Sequence, residues 1–201
     1  MFGGAFDPPH RAHVALVEAG LAQLRLDALH VLPTGDAWHK PRGLSDAAHR
    51  LAMARLAFGA LPRAVVDDRE IRRGGPTYTV DTLRELQAEH PGADLHLIIG
   101  ADQAAALPRW HAFRELLALA IICIADRDES ATAFGDLPSA SASAGLVDPE
   151  VQALGRFERL QLPRMDVSAT DIRSRVASGR DIAPLVPPPV ARYIAQHHLY
   201  L

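Results

Sequence analysis

The feature that most constrains this chain is an alternation of short apolar runs, rich in β-branched residues, with longer segments of helical period. The runs are 29–32, 64–67, 95–99, 121–125 and 160–162, and each ends at a Pro, Gly, Asp or Arg where the chain can leave a sheet. Between them, residues 12–24 place Val14, Val17, Leu21 and Leu24 on one stripe. Ser45 is positioned to N-cap a helix through Phe58, with Gly59 behind it. Further helices are expected from Thr79 to about His90, from near Ser168 to Gly179, and over 188–198. Apolar strands alternating with helices specify a parallel sheet covered on both faces. The expected fold is therefore α/β, a doubly wound parallel sheet of Rossmann-like type, forming a single domain over residues 1–201. Residues 128–150 are rich in Ala, Ser and Gly without a period, so a flexible loop is expected there. It is not a boundary, because too few residues follow it for an independent core.

Composition narrows the function. A chain of 201 residues, 48% hydrophobic and 22% charged, buries roughly 70% of its unfolded surface and needs no covalent staple. One cysteine, Cys123, forms neither an internal disulfide nor a thiolate zinc site, which removes the zinc-finger and secreted-scaffold classes. With 21 basic and 24 acidic residues the net charge is −3, against the basic stripe of a general nucleic-acid binder. The longest apolar stretch, 116–125, is far shorter than a membrane span, and no basic segment followed by an apolar one opens the chain. A cytoplasmic protein with neither nucleic acid nor membrane as partner is expected.

In an open parallel sheet, ligands bind beyond the carboxyl ends of the strands. Three turns there carry unusual residues. Gly3-Gly4-Ala5-Phe6-Asp7-Pro8-Pro9-His10-Arg11-Ala12-His13 combines glycines that permit close backbone approach with two histidines three apart at a helix start. A helix N-terminus attracts phosphate, and imidazoles add directional donors. His10 and His13 can equally be a surface pair or half a metal site, but no third ligand is suggested nearby, and no P-loop or dinucleotide fingerprint occurs. In Val167-Ser168-Ala169-Thr170-Asp171-Ile172-Arg173, Ser168 is a cap, Thr170 offers a hydroxyl and Arg173 points back toward an anion site, unless it pairs with Asp166 or Asp171. In Ile98-Ile99-Gly100-Ala101-Asp102, Gly100 admits a base or sugar and Asp102 accepts from a ribose hydroxyl, or else the turn is a plain helix cap.

GGAFDPPHRAH resembles the G-G-x-F-D-P-x-H-x-G-H signature of nucleotidylyltransferases, and VSATDIR their I-S-S-T-x-I-R phosphate motif. GGPTYTVDTL, LIIGADQ, the Leu107-Pro108-Arg109-Trp110 turn and the closing VPPPVARYIAQHHLY resemble the bacterial nicotinate-nucleotide adenylyltransferase family through nearly the whole chain. The resemblance implies transfer of AMP from ATP to nicotinate mononucleotide, giving nicotinate adenine dinucleotide and pyrophosphate, in NAD biosynthesis. It implies ATP and the mononucleotide as partners, and Mg²⁺ carried with ATP rather than on protein side chains. His10, His13 and Arg173 become the catalytic residues. Gly4, Ala5, Phe6, Gly100, Asp102, Ser168, Ala169 and Thr170 join them in binding ATP. Thr77, Tyr78, Thr79 and Trp110 fall to the mononucleotide, with His39 and Lys40 in a loop that closes over the phosphates.

The chain departs from the pattern in three places. Ala5 replaces a Thr, losing a hydroxyl but keeping the backbone N–H. Ala12 replaces the glycine between the histidines, and its methyl narrows the approach to the phosphates. After Arg127 an expected Pro-Gly is Asp128-Glu129. Two alternatives stay open: an enzyme preferring nicotinamide mononucleotide, whose amide has nearly the carboxylate's shape, and a nucleotide-binding regulator without turnover. Family members also place a full strand before the Gly-Gly turn, where only Met1 and Phe2 stand here. The expectation is a start upstream or a shortened central strand, with a version extended by several apolar residues more stable and tighter for ATP.

Overall fold

The computed structural model describes residues 1–35, 43–127 and 148–201, at 126–127 by backbone alone. Its elements follow in chain order. First come β1 (Phe2–Gly4), α1 (Arg11–Gln23), β2 (Leu29–Pro33), α2 (Ala47–Phe58), β3 (Ala64–Val66), α3 (Arg69–Arg73) and α4 (Thr79–Glu89). Then come β4 (Leu95–Gly100), α5 (Ala101–Ala106), a 3₁₀ turn (Leu107–Arg109), α6 (Phe113–Leu119) and β5 (Ala120–Arg127). The chain closes with α7 (Pro149–Gln152), β6 (Arg156–Leu162), α8 (Ala169–Ala177) and α9 (Pro188–Gln196). The six strands form one sheet in the order β3-β2-β1-β4-β5-β6. The pairs β1–β4, β2–β3, β4–β5 and β5–β6 are parallel, and the order reverses its direction of growth at β1 and β4, as in a doubly wound fold.

Two compact units make up the chain: Met1–Phe2 with Thr77–Arg164, and Gly3–Pro76 with Met165–Leu201. In the first, Leu83, Leu97, Ile98, Leu107, Leu116 and Ile122 are fully buried, and α4 and α6 pack together. The exposed Arg84 on α4 joins Glu115 on α6 through two hydrogen bonds of 2.7 Å. The carbonyl of Met1 accepts from Ile98 N at 2.9 Å, and its amino group donates to the carbonyl of His96. Burial lowers that amine to a pKa of about 6. In the second unit, α2 packs on β2, β3 and α9, with Phe58, Leu29, Leu32 and Met53 fully buried.

Several boundaries move for physical reasons. Asp46, not Ser45, caps α2, accepting from Ala48 N at 2.8 Å, while the Ser45 amide donates to Asp7 at 3.1 Å. The apolar stretch 116–125 is divided between α6 and β5 where Ala120 turns extended. β6 starts at Arg156 rather than 160, since charges at 156, 158 and 159 obscure a strand whose Phe157, Leu160 and Leu162 are buried. Helices α3, α5, α6 and α7 are of seven residues or fewer, too short to display a period. Of the expected loop at 128–150, residues 128–147 lie outside the described residues, and the end forms the start of α7.

The carboxyl end of β3 carries an acid-sensitive anchor. Asp67 is buried and accepts from His30 Nδ1 at 2.9 Å, Arg69 Nε at 2.7 Å and Arg69 N at 3.0 Å. Burial by itself raises this carboxyl, but the His30 bond, the two Arg69 bonds and the Arg69 charge outweigh it and hold it well below the usual range. A depressed carboxyl contributes stability above its unfolded pKa of about 4 and loses it as pH falls further. Asp67→Asn is therefore expected to lower the denaturation midpoint at pH 7, with the gap to the parent closing below about pH 4. Equal midpoints at pH 7 overturn this assignment.

Candidate active site

The turn after β1 is built around one aromatic ring. Phe6 takes a left-handed backbone (φ +48°) and is 2% exposed. A Cβ at Gly4 would lie 3.1 Å from the Phe6 ring, so the glycine makes room for that ring. Phe6 stands edge-on to Phe58 (5.4 Å between centroids) and to His13 (5.2 Å), which fixes the His13 imidazole from one side. The peptide between Asp7 and Pro8 is cis.

His10 is buried and caps α1 in an extended conformation, and His13 is one turn in. Their rings stack with centroids 3.6 Å apart and planes within 17°. The amide of His10 donates to Nδ1 of His13 at 3.2 Å. An atom that accepts from a backbone N–H carries no hydrogen, so the neutral His13 ring holds its proton on Nε2, as a donor. The backbone thereby leaves Nε2–H of His13 as the donor that can face a phosphate.

The second motif reaches the same turn. Ser168 caps α8, accepting from Asp171 N at 3.1 Å. Arg173 donates through Nη1 to the carbonyl of Asp7 at 2.7 Å and through Nη2 to Thr170 Oγ1 at 3.1 Å. It does not pair with Asp171, which binds Arg175 at 2.8 Å. Arg173 has five N–H donors, so these two bonds leave part of its fork for an anion. His10, His13, Ser168, Ala169, Thr170 and Arg173 are thereby gathered with Gly4, Ala5 and Phe6 in one unit.

Three residues that sequence reasoning left out of the site support it. Arg50 on α2 is 2% exposed and donates to four carbonyls: Ser45 (2.9 Å, from Nε), Ala5 (3.1 Å) and Thr34 (2.6 Å, both from Nη1), and Gly35 (3.0 Å, from Nη2). Burial pulls its pKa down, while Asp7 and Asp46 oppose this. Asp7 is buried and accepts from Tyr200 Oη at 2.7 Å and from Ser45 N at 3.1 Å. Burial, then the Asp7 bond, raise the Tyr200 phenol, which stays a neutral donor. One signal for Arg50 was available: with Met53, Ala54 and Ala57 it falls on the apolar stripe of α2.

The other unit holds Thr77, Tyr78, Thr79, Gly100, Asp102 and Trp110. Gly100 precedes α5, and a Cβ there would lie 2.8 Å from Asp102 Oδ1, so the carboxylate folds over the glycine. Asp102 also accepts from Gln103 Nε2 at 2.9 Å. Thr77 and Tyr78 lead into α4, which Thr79 opens, and the Tyr78 ring packs on His111 at 4.3 Å. Trp110 precedes His111, half-buried, with its amide on Leu107 O at 2.9 Å. His39, Lys40, Asp128 and Glu129 lie outside the described residues.

The cytidylyltransferase-like family pattern matches residues 1–175. A probable nicotinate-nucleotide adenylyltransferase of Albidiferax ferrireducens is 57% identical over 201 residues, covering all of this chain and 96% of the relative. The chain belongs to the nicotinate-nucleotide adenylyltransferase family. A second probable member, from Methylibium petroleiphilum, is 40% identical over all of this chain and 91% of its own. Among solved structures, the Plasmodium falciparum nicotinic acid mononucleotide adenylyltransferase complexed with NaAD superposes with a TM-score of 0.73, covering 99% of this chain and 95% of that one. At 18% identity that likeness shows the fold alone. No helix among the described residues is long and apolar enough to cross a membrane.

Proposed function

We propose that this protein transfers AMP from ATP to nicotinate mononucleotide, releasing pyrophosphate and forming nicotinate adenine dinucleotide, in the cytoplasm as part of NAD biosynthesis. The observation that carries the reading is the stacked His10–His13 pair, with its Nε2–H donor set by the backbone, on a turn that Arg173 also holds. An oxygen of the mononucleotide 5′-phosphate attacks the α-phosphorus of ATP as the bond to the β-phosphate oxygen breaks. The attacking phosphate is already ionised, so no protein nucleophile is needed, and positioning with charge neutralisation lowers the barrier.

His13 donates to an α-phosphate oxygen, His10 orients His13 by stacking, and Arg173 with Thr170 takes the charge of the departing pyrophosphate. Backbone at Gly4, Ala5, Phe6, Ser168 and Ala169 lines the phosphate grip. Gly100 and Asp102 are assigned to adenosine, and Thr77, Tyr78, Thr79, Trp110, His39 and Lys40 to the mononucleotide. Mg²⁺ enters with ATP: Asp7, the one carboxylate of the first motif, is buried and already accepts from Tyr200 and Ser45, so it serves as an anchor and not as a metal ligand. Bound with ATP, the ion would supply neutralisation of phosphate charge.

The decisive test is pyrophosphate release by the purified protein with MgATP and each mononucleotide in turn. Preference for the nicotinate form supports the assignment, and equal or reversed preference overturns it. Binding of ATP without release from either substrate makes the protein a nucleotide-binding regulator. Trp110→Ala is expected to raise KM for the mononucleotide about two- to tenfold, the worth of one aromatic contact, with ATP affinity little changed. A fall in ATP affinity alone places the indole elsewhere.

A further inference from the structure

Three unlike metal-binding side chains meet on one face of the sheet, in the unit formed by Met1–Phe2 and Thr77–Arg164. Cys123 on β5 is in register with Glu158 on β6 and with Ile98 on β4, two residues beyond His96. Residues in register, and residues two apart on a strand, share a face. One donor atom from each of His96, Cys123 and Glu158 lies within 4.8 Å of the other two.

Two of the donors present lone pairs to a cation, while burial and the Glu158 charge push the Cys123 thiol up to about 12 against the opposing Met1 ammonium, so an ion must displace its proton. His96 Nδ1 is 3.2 Å from the carbonyl of Asp94, which can only accept, so the proton is on Nδ1 and the Nε2 lone pair is available. That backbone hydrogen bond is the usual means of fixing a metal-binding imidazole. Glu158 has no hydrogen bond or ion pair among the described residues, and the fully buried Cys123 has only a weak contact of 3.8 Å to Ile121 O. Arg156, two residues before Glu158 on the same face, is held by the Asp94 carboxylate at 3.0 Å. Gly100, at the far end of β4, is roughly 13 Å along the strand from His96, so the cluster is apart from the turn assigned to adenosine.

We propose that His96, Cys123 and Glu158 form a binding site for a single thiolate-accepting divalent ion of the Zn²⁺ class, with water in the fourth position. Thiolate, imidazole and carboxylate are the donors such an ion takes, and the two negative charges balance its own. Loading forms the metal–sulfur bond as the S–H bond breaks, with the proton passing to buffer. The cysteine count set zinc aside; register across three strands supplies the unlike donors that the count does not register.

Cobalt(II) is the probe. Chelator-treated full-length protein is expected to bind one equivalent, with a sulfur-to-cobalt charge-transfer band that one equivalent of Zn²⁺ abolishes. Cys123→Ser is expected to remove the band, and Glu158→Gln or His96→Ala to weaken binding at least tenfold, each metal-free variant remaining folded by circular dichroism. Zn²⁺ raises the melting temperature of the parent and not of Cys123→Ser. A folded parent that shows no band, or a band that survives Cys123→Ser, overturns the proposal.

Discussion

His13→Ala is expected to lower kcat by about 10²–10³-fold, the effect of removing one preorganised donor to developing charge, while the fold persists. The ring is held on two sides, by Phe6 edge-on and by His10 face-on, and its Nδ1 is engaged by the His10 amide. Its Nε2–H is therefore aimed before substrate arrives and pays no reorganisation cost during the reaction. Truncation leaves α1 capped, because the carbonyl of His10 still accepts from the amides of residues 13 and 14. The stability loss is one hydrogen bond, about 1 kcal/mol, or a few degrees in Tm. Pyrophosphate release under saturating MgATP and mononucleotide, read beside a thermal melt, checks both halves. A kcat unchanged in the folded variant removes His13 from the reaction.

Arg50→Met is expected to destabilise the protein by about 4 kcal/mol, a large share of the roughly 5–15 kcal/mol that holds a domain folded. The guanidinium donates to the carbonyls of residues 5, 34, 35 and 45 from three nitrogens, and a thioether leaves all four without those donors. Arg50→Lys recovers less than half, since one ammonium cannot reach acceptors fanned around a planar fork. Chemical denaturation at pH 7 gives the values, and a loss under 1 kcal/mol for Arg50→Met contradicts the anchoring role. Because the Ala5 carbonyl belongs to the turn that carries His10, activity of the folded fraction is expected to fall as well.

Much of this was legible along the chain. Five of the six strands announce themselves as apolar runs, and five long helices are marked by a stripe in α1, of which Val17 and Leu21 are buried, and by caps and breakers in the others. β1 did not: three residues, two of them glycine, carry no pattern, and the strand exists because β4 pairs with it. β6 was half seen, since its charged positions are tolerated only where the sheet leaves them partly exposed. The residues of the two phosphate motifs were readable because their chemistry needs particular side chains at fixed spacing. Arg50 showed only its place on the apolar stripe of α2 and Tyr200 showed nothing, because their task is to hold backbone and carboxylate groups remote in sequence, and such pairing is invisible until the chain is folded.

The sequence by itself determined the class of fold, the motifs and the family, since periodicity and local turn chemistry act over a few residues. Only the tertiary structure decided which nitrogen of His13 carries the proton, that Arg173 binds the Asp7 carbonyl in place of Asp171, and that His96, Cys123 and Glu158 share a face. Each of these depends on hydrogen-bond direction or on strand register between segments far apart in the chain, and neither quantity is set until the sheet closes around its core.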